Sequence, residues 1–128
     1  MPLRVAGEKK LWKGGLLGAT VHMSLHTGVG ATAANELTAA DAPNYARIAV
    51  APAGWTVSDR TGAASNAAAI AFAAPPANTE WPAVRSVALW TAAAAGDLLV
   101  DEYVQGAPLV GAAGDPVAFA PGQLVLDV

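Results

Sequence analysis

The 128-residue chain contains no cysteine, and only 13% of its residues are charged. Without cysteine there is no disulfide framework, no thiolate ligand for a metal and no cysteine nucleophile. The charged fraction is about half of that in ordinary soluble domains, so a free monomer would present an unusually uncharged surface. We therefore expect stability to come from packing or from partners, and we expect much of the surface to be covered in an assembly.

Extended basic clusters and long apolar runs are also missing from the sequence. The formal net charge is -3 and the pI is near 5.1, so nucleic acid is not an expected partner. Lys9, Lys10 and Lys13 form a small basic group, which we interpret as a solvated helix face, with a contact patch as the alternative. The longest apolar stretch, residues 67–74, is far shorter than the roughly 20 residues of a membrane helix, so no membrane partner is expected.

The apolar residues present are sufficient for one core, and the length is that of a single domain. Alanine supplies much of the 54% hydrophobic fraction but buries little area. The expected core builders are the scattered valines, leucines and isoleucines together with the aromatic residues Trp12, Trp55, Trp81, Trp90, Phe72, Phe119, Tyr45 and Tyr103.

One segment near the start has the pattern of a helix. Residues 7–17 place Leu11, Trp12 and Leu16 among lysines, which predicts a short amphipathic helix ended by glycine. Its apolar stripe needs a surface to cover it. The sequence leaves open whether that surface belongs to the same chain or to a neighbouring subunit.

From residue 19 onward, short apolar segments alternate with glycine and proline. Val21, Met23 and Leu25 alternate with three polar residues, which predicts a strand with one buried face. Further strands are predicted around Tyr45 to Val50, Trp55 to Val57, Ile70 to Phe72, Val84 to Leu89, Leu98 to Val104 (with Leu98, Val100 and Val104 on one face), Val117 to Phe119 and Leu124 to Val128. This rhythm without long helices predicts an all-β fold, namely an antiparallel β-sandwich that is jelly-roll-like, with a short N-terminal helix. The predicted division is a helical arm over residues 1–18 and a β-sandwich domain over residues 19–128.

Two connections stand out. Residues 28–44 are too weakly patterned for core structure, and loops of this length usually contact something. Residues 92–96 predict a turn before the next strand, although their alanines leave a helical turn as an alternative.

Residues with catalytic or metal-binding chemistry do not form a convincing site. His22 and His26 would stand about 13 Å apart on one strand, so they cannot chelate one ion together, and we interpret them as surface or interface residues. Asp101 and Glu102 point to opposite faces of a strand, and Asp97 fits a turn. We therefore predict no catalytic, cofactor-binding or metal-binding residue, no cofactor and no enzymatic activity.

Three short motifs resemble a known family. Leu25, His26 and Thr27 are followed by a glycine-rich stretch, then by Asn35, Glu36 and Leu37, and then by Tyr45, Ala46 and Arg47. This order is similar to the "LHT", "NE" and "YAR" motifs of small virion proteins of tailed bacteriophages. Later matches follow in the same order at Asn66, Ile70, Phe72, Trp81, Val84, Gly96 to Leu99, Gly114, Asp115, Phe119, Gly122 and Leu124. The sequence departs from the pattern at Pro82, where the family often has glycine, and at Val29, where the loop lacks a proline.

The resemblance implies a virion structural protein. The leading interpretation is a capsid decoration (cement) protein that binds the major capsid protein on the outer capsid surface, stabilises the assembled head and forms a homo-oligomer. The alternative is a tail, baseplate or tail-fibre-associated protein with tail proteins as partners. A carbohydrate-binding module is a third hypothesis, which would require exposed aromatic side chains.

Two groups of residues are candidates for contact with partners. The first comprises Lys9, Leu11, Trp12, Lys13 and Leu16 of the predicted helix. The second comprises Asn35, Glu36, Tyr45 and Arg47, which either contact a partner or fasten the long loop to the sandwich by hydrogen bonds and an ion pair.

Overall fold

The structure is a computed structural model that describes residues 15–58, 60–104 and 107–126, and these residues form short strands joined by turns. The helical segments in these ranges are single turns, such as the 3-10 helices Ala33–Asn35 and Pro52–Gly54. The prediction of an all-β fold is therefore confirmed. The predicted N-terminal helix lies mostly outside the described residues, and the division at residue 18 stays a prediction.

The strands form three sheets. They are β1 (Val21–His26), β2 (Ile48–Val50), β3 (Trp55–Val57), β4 (Ala64–Asn66), β5 (Ile70–Ala71), β6 (Ser86–Trp90), β7 (Leu98–Tyr103), β8 (Ala118–Phe119) and β9 (Val125–Leu126). The strand orders are β2-β1-β6-β7, β3-β4-β9 and β5-β8. The pairs β1 with β6, β6 with β7, β3 with β4 and β4 with β9 are antiparallel, as the rhythm of short strands without long helices predicts.

The chain forms two compact units, each assembled from segments that are distant in sequence. The first comprises the described residues of Met1–Val21, Val50–Ile70 and Phe119–Val128, and the second comprises the described residues of His22–Ala49 and Ala71–Ala118. The first unit is built on the sheet β3-β4-β9, and most of the sheet β2-β1-β6-β7 belongs to the second.

The first unit contains a strand that the sequence pattern did not reveal. β4 consists of Ala64, Ser65 and Asn66, none of which has a high β propensity. It lies between β3 and β9, where its backbone groups pair on both sides. Asn66, with 1% of its surface exposed, makes its side-chain hydrogen bonds to the chain around β8 and β9. Tertiary pairing therefore overrides a weak local preference.

In the second unit, one side of the sheet has the apolar pattern that was predicted. Met23 and Leu25 of β1 lie opposite Leu89 and Val87 of β6, and all four side chains are buried. Successive side chains of a strand point to opposite faces, so these residues share one face of the sheet. This face forms the apolar core beside the sheet.

The prediction of a single buried face for β1 is wrong. Ser24 and His26, on the opposite face, are both 0% exposed. Trp90 and Ala31 pack on this side, because the chain after β1 folds back over it. His26 is therefore not a surface residue. The alternation of residues along one strand cannot show that a loop buries its second face.

The prediction that Leu98, Val100 and Val104 share one face of a strand is also wrong. A bulge between Leu89 and Trp90 shifts the register, so Val100 pairs with Leu89 while Leu98 pairs with Trp90. Since Leu89 and Trp90 point to opposite sides of the sheet, Leu98 and Val100 do as well. Leu98 is consequently exposed at the edge of the sheet, where β7 is the last strand.

The two predicted connections are confirmed as loops. Residues 28–44 are irregular apart from one 3-10 turn and a bridge between His26 and Glu36. Residues 92–96 form a turn that ends with Ala95 and Gly96 at φ values of 53° and 80°. Two successive left-handed residues cannot continue a helix, which removes the helical alternative.

Candidate functional site

Glu36 and Arg47 form a bidentate ion pair beside the four-stranded sheet. Arg47 Nε donates to Glu36 Oε2 at 2.9 Å, and Arg47 Nη2 donates to Glu36 Oε1 at 2.7 Å. The guanidinium thus engages both carboxylate oxygens, a geometry that lysine cannot reproduce. Only 6% of the Arg47 side chain and 15% of the Glu36 side chain are exposed, so solvent screens the pair weakly.

Arg47 also holds the turn that follows β6. Its Nη1 donates to the carbonyl oxygens of Ala92 and Ala95 at 2.9 and 2.8 Å. The guanidinium carbon lies 4.2 Å from the centroid of the Trp90 ring, within the range of a cation–π interaction. One side chain therefore ties together Glu36, the turn and the sheet.

Tyr45 adds the third member of this cluster. Its hydroxyl donates to Glu36 Oε2 at 2.6 Å and accepts a hydrogen bond from the backbone N–H of Leu25 at 3.2 Å. The ring lies 6.1 Å from that of Phe72 and 5.9 Å from that of Trp81. The loop carboxylate is thereby connected to β1 through one phenol.

The electrostatics of the cluster favour its charged form. Burial opposes ionisation of Glu36, but hydrogen bonds from Arg47 and Tyr45 outweigh it and hold the pKa of the carboxyl below its ordinary value of 4.5. The hydrogen bond to Glu36 raises the pKa of Arg47. Burial, together with the hydrogen bond to the Glu36 carboxylate, raises the pKa of the Tyr45 phenol. Near neutral pH the cluster is therefore a carboxylate, a guanidinium and a neutral phenol.

We expect Glu36→Gln to lower the free energy of unfolding by about 1–3 kcal/mol at pH 7, because the charge-assisted hydrogen bonds are lost. Since the folded-state pKa of Glu36 is lowered, its contribution is complete above the ordinary value of 4.5 and is lost as the pH falls through the folded value. Urea denaturation from pH 7 to pH 3 should show the two proteins converging in acid. Glu80→Gln, at an exposed position, is the control. A difference that is constant with pH would contradict the assignment.

A second group of hydrogen-bonded side chains lies beneath the loop of residues 28–44. Trp90 Nε1 donates to Ser24 Oγ at 2.6 Å, and Ser24 Oγ lies 2.6 Å from His26 Nε2. On the other side of the imidazole, His26 Nδ1 lies 2.7 Å from Asn35 Oδ1. These hydrogen bonds therefore connect β6 through β1 to the loop residue Asn35.

The backbone contacts of Asn35 determine the direction of its hydrogen bond with His26 Nδ1. Asn35 Oδ1 accepts from the N–H of Thr32 at 2.9 Å, and its Nδ2 donates to the carbonyl of Gly30 at 2.7 Å. His26 Nδ1 must therefore be the donor to Asn35. Ser24 Oγ lies within hydrogen-bond distance of His26 Nε2 and also donates to the carbonyl oxygen of Ala88 at 3.5 Å.

Ser24, His26 and Asn35 follow one another in the order of a Ser–His–Asn catalytic triad. Their environment differs from that of a catalytic triad. Ser24 and His26 are both 0% exposed, and the Ser24 oxygen already accepts the indole N–H of Trp90. A nucleophile must be able to contact its substrate. The arrangement accordingly connects the loop to the sheet and leaves no access to the hydroxyl.

The loop is anchored at two further points. Ser86 Oγ donates to the carbonyl of Gly28 at 2.7 Å, and Asp101 Oδ2 accepts from the N–H of Ala31 at 3.1 Å. A Cβ atom on Gly28 would clash with the amide of Asn35, so glycine is required where the loop leaves β1. The short segment between Gly28 and Ala31 is therefore held at both ends.

The anchored segment lies beside an exposed surface at the edge strand β7. Tyr103 pairs with Ser86, and Asp101 with Ala88, so both side chains point to the side that the loop covers, as does that of Leu98. Tyr103 is 54% exposed, Leu98 is 41% exposed, and Val29, between the two loop anchors, is 62% exposed. We name Val29, Leu98, Asp101 and Tyr103 the loop-edge surface.

The structure brings together only part of the predicted contact set. Asn35, Glu36, Tyr45 and Arg47 lie in the clusters described above and fasten the loop, while any contact with a partner stays a prediction. Leu16 is partly exposed and belongs to the first unit. The remaining members, Lys9, Leu11, Trp12 and Lys13, lie outside the described residues.

Several contributing residues were not identified from the sequence. Ser24, Ser86 and Asp101 each anchor the loop, but an isolated serine or aspartate carries no pattern that separates an anchor from a surface residue. His26 did have a signal, since it lies in the "LHT" motif, but the alternation of β1 placed it on the open face. A polar residue in a strand that faces a long loop should be considered as an anchor.

The described residues contain no group of three or more His, Cys, Asp or Glu side chains that could hold a metal ion. Within the same ranges, no helix is both long and apolar enough to cross a membrane. Trp55, Trp81 and Trp90 are buried, so these rings are not exposed platforms on which a sugar could stack.

Residues 17–127 match the family described as podophage GP4 fiber I protein gp80. The matched range includes all nine strands and both polar clusters. No curated protein is significantly similar to the chain. Because the match covers most of the sequence, the chain belongs to this podophage fiber protein family, and it is a structural protein of the phage virion.

Proposed function

We propose that the chain is a component of the tail fibre or of its attachment to the tail, and that it works by binding other protein chains rather than by catalysis. The observation that carries the proposal is the match of residues 17–127 to a fiber protein family. It favours the tail interpretation over capsid decoration, because the family description concerns a fiber. The major capsid protein is therefore not the partner we propose.

The second unit has properties that suit a binding role. Its long loop is held by two hydrogen-bonded clusters and two further anchors, so its shape is already set before a partner arrives. A surface that is ordered in advance loses little conformational entropy on binding. The low fraction of charged residues also suits a chain that is covered by neighbours.

The hydrogen bonds that join the buried residues Ser24 and His26 to Asn35 support the proposal that the protein is not an enzyme. The polar groups of these residues already take part in hydrogen bonds that hold the loop on the sheet. The exposed Asp97 directly follows the turn of residues 92–96, a position where an aspartate commonly caps its own backbone.

Separation of purified virions into heads and tails tests the location. We expect the protein in the tail fraction, at a copy number of a few to some tens per particle by densitometry against the major capsid protein. A protein that stays on tailless heads in hundreds of copies would overturn the tail proposal and restore capsid decoration. Cross-linking followed by mass spectrometry on intact particles should identify tail proteins as neighbours.

A further inference from the structure

The loop-edge surface combines apolar and acidic character. Val29, Leu98 and Tyr103 are three of the five large hydrophobic residues with substantial exposure among the described residues. Asp101 lies on the same side of the sheet, and Asp97 precedes Leu98 in sequence. Exposed apolar residues beside acidic ones suit a partner that is itself both apolar and basic.

Positive charge in this chain is concentrated in one segment. Residues 1–14 contain Arg4 and all three lysines, Lys9, Lys10 and Lys13, against one acid, Glu8. The remaining residues contain three arginines and nine acids. One of those arginines, Arg47, is already neutralised by Glu36. The sequence thus divides into a basic segment and an acidic remainder.

The basic segment also carries apolar side chains suited to such a surface. Leu11 and Trp12 stand directly beside the lysines. Tryptophan combines a large apolar area with a hydrogen-bond donor, and it is among the residues that contribute most to protein interfaces. Both requirements of the loop-edge surface, positive charge and apolar area, are therefore met by residues 1–14.

We propose that the loop-edge surface binds residues 1–14 of a second copy of this chain. Trp12 and Leu11 contact Val29, Leu98 and Tyr103, and the lysines lie beside the acidic residues. Each copy provides one basic segment and one surface, so a reciprocal exchange in a closed symmetric oligomer covers every surface. The proposal goes beyond the function proposed above, because it applies to either location in the virion.

The loop anchors explain why this surface can act as a preformed receptor. Val29 is held between the Gly28 and Ala31 contacts, so it does not need to be ordered when the segment binds. Asp101 uses Oδ2 for the loop and lies beside Tyr103 in the same strand. Electrostatic attraction should accelerate association and should weaken as salt screens it.

Sedimentation velocity of the full chain tests the proposal with two variants. One is K9E/K10E/K13E, which reverses the charge of the segment, and the other is Tyr103→Ser, which alters the surface at an exposed position. We expect the wild type to associate at about 0.1 mM, and each variant to bind itself at least about tenfold more weakly. Val125→Ser and Val110→Ser, at other exposed valines, are the matched controls and should associate like the wild type.

Mixing the two variants distinguishes exchange between copies from other arrangements. A mixed pair keeps one intact contact, between the segment of the Tyr103→Ser protein and the surface of K9E/K10E/K13E. Both changes then fall on the other contact, where their effects do not add, so the mixture should associate more tightly than either variant alone. A mixture that stays monomeric would overturn the proposal. So would a monomeric wild type, which is the result expected if residues 1–14 bind their own chain, or association that neither variant weakens. Leu98→Ser replaces Tyr103→Ser if the melting curve shows that the latter is unfolded.

Discussion

Arg47→Ala is expected to lower the free energy of unfolding by about 3–5 kcal/mol, the usual cost of removing one partner from a buried ion pair. The substitution removes two hydrogen bonds to Glu36 and two to the turn carbonyls of Ala92 and Ala95. The Glu36 carboxylate then remains largely buried with only the Tyr45 hydroxyl as a hydrogen-bond partner from this cluster. The unpaired charge, more than the lost contacts, makes the effect large.

Chemical denaturation at pH 7 measures the effect of Arg47→Ala. Arg60→Ala, at an exposed position, is the matched control and should change the free energy of unfolding by less than about 0.5 kcal/mol. Arg47→Lys should recover only part of the loss, because an ammonium group cannot engage both carboxylate oxygens. If the lysine variant were as stable as the wild type, the bidentate geometry would not be the source of stability.

A double variant separates the pair from the rest of the network. Arg47→Ala combined with Glu36→Gln removes both charges, so no carboxylate remains unpaired. The loss for the double variant should be clearly smaller than the sum of the two single losses, because the residues share one interaction. Additive losses would indicate that Glu36 and Arg47 act independently.

Asn66→Ala is expected to cost about 3 kcal/mol, because it removes four side-chain hydrogen bonds, two of them to the buried carbonyl of Phe119 and the buried N–H of Leu124. The Asn66 amide donates to the carbonyls of Ala68, Phe119 and Ala120, and its Oδ1 accepts from the N–H of Leu124. These contacts join β4 to the chain around β8 and β9. The loss of one side chain therefore affects segments that are more than 50 residues apart in sequence.

The isosteric variant Asn66→Asp tests the direction of these hydrogen bonds. It retains an acceptor for Leu124 but replaces the donor with a carboxylate oxygen that faces three carbonyls. We therefore expect it to be at least as destabilising at pH 7 as Asn66→Ala, despite its better fit. Ser65→Ala, in the same strand, is the control. Hydrogen exchange should accelerate in residues 64–66 and 124–126, and unchanged protection there would contradict the role of Asn66.

The sequence predicted the candidate site in part. Asn35, Glu36, Tyr45 and Arg47 were identified because they lie in motifs, and their polar groups suggested a fastened loop. The sequence could not show that Arg47 also covers Trp90 and holds a turn that begins 45 residues later. Contacts across such separations depend on how strands pair, and no local pattern records them.

Local chemistry was sufficient wherever one segment decides its own structure. The alternation around Met23 and Leu25 determined a strand. For residues 92–96 the sequence predicted a turn, but the left-handed backbone of Ala95 and Gly96 was needed to remove the helical alternative. Tertiary structure alone decided three features. These are the second buried face of β1, the formation of β4 and the exposure of Leu98 beyond a bulge. Each depends on a partner from a distant part of the chain, and burial and backbone pairing with that partner outweigh the propensities of the residues themselves.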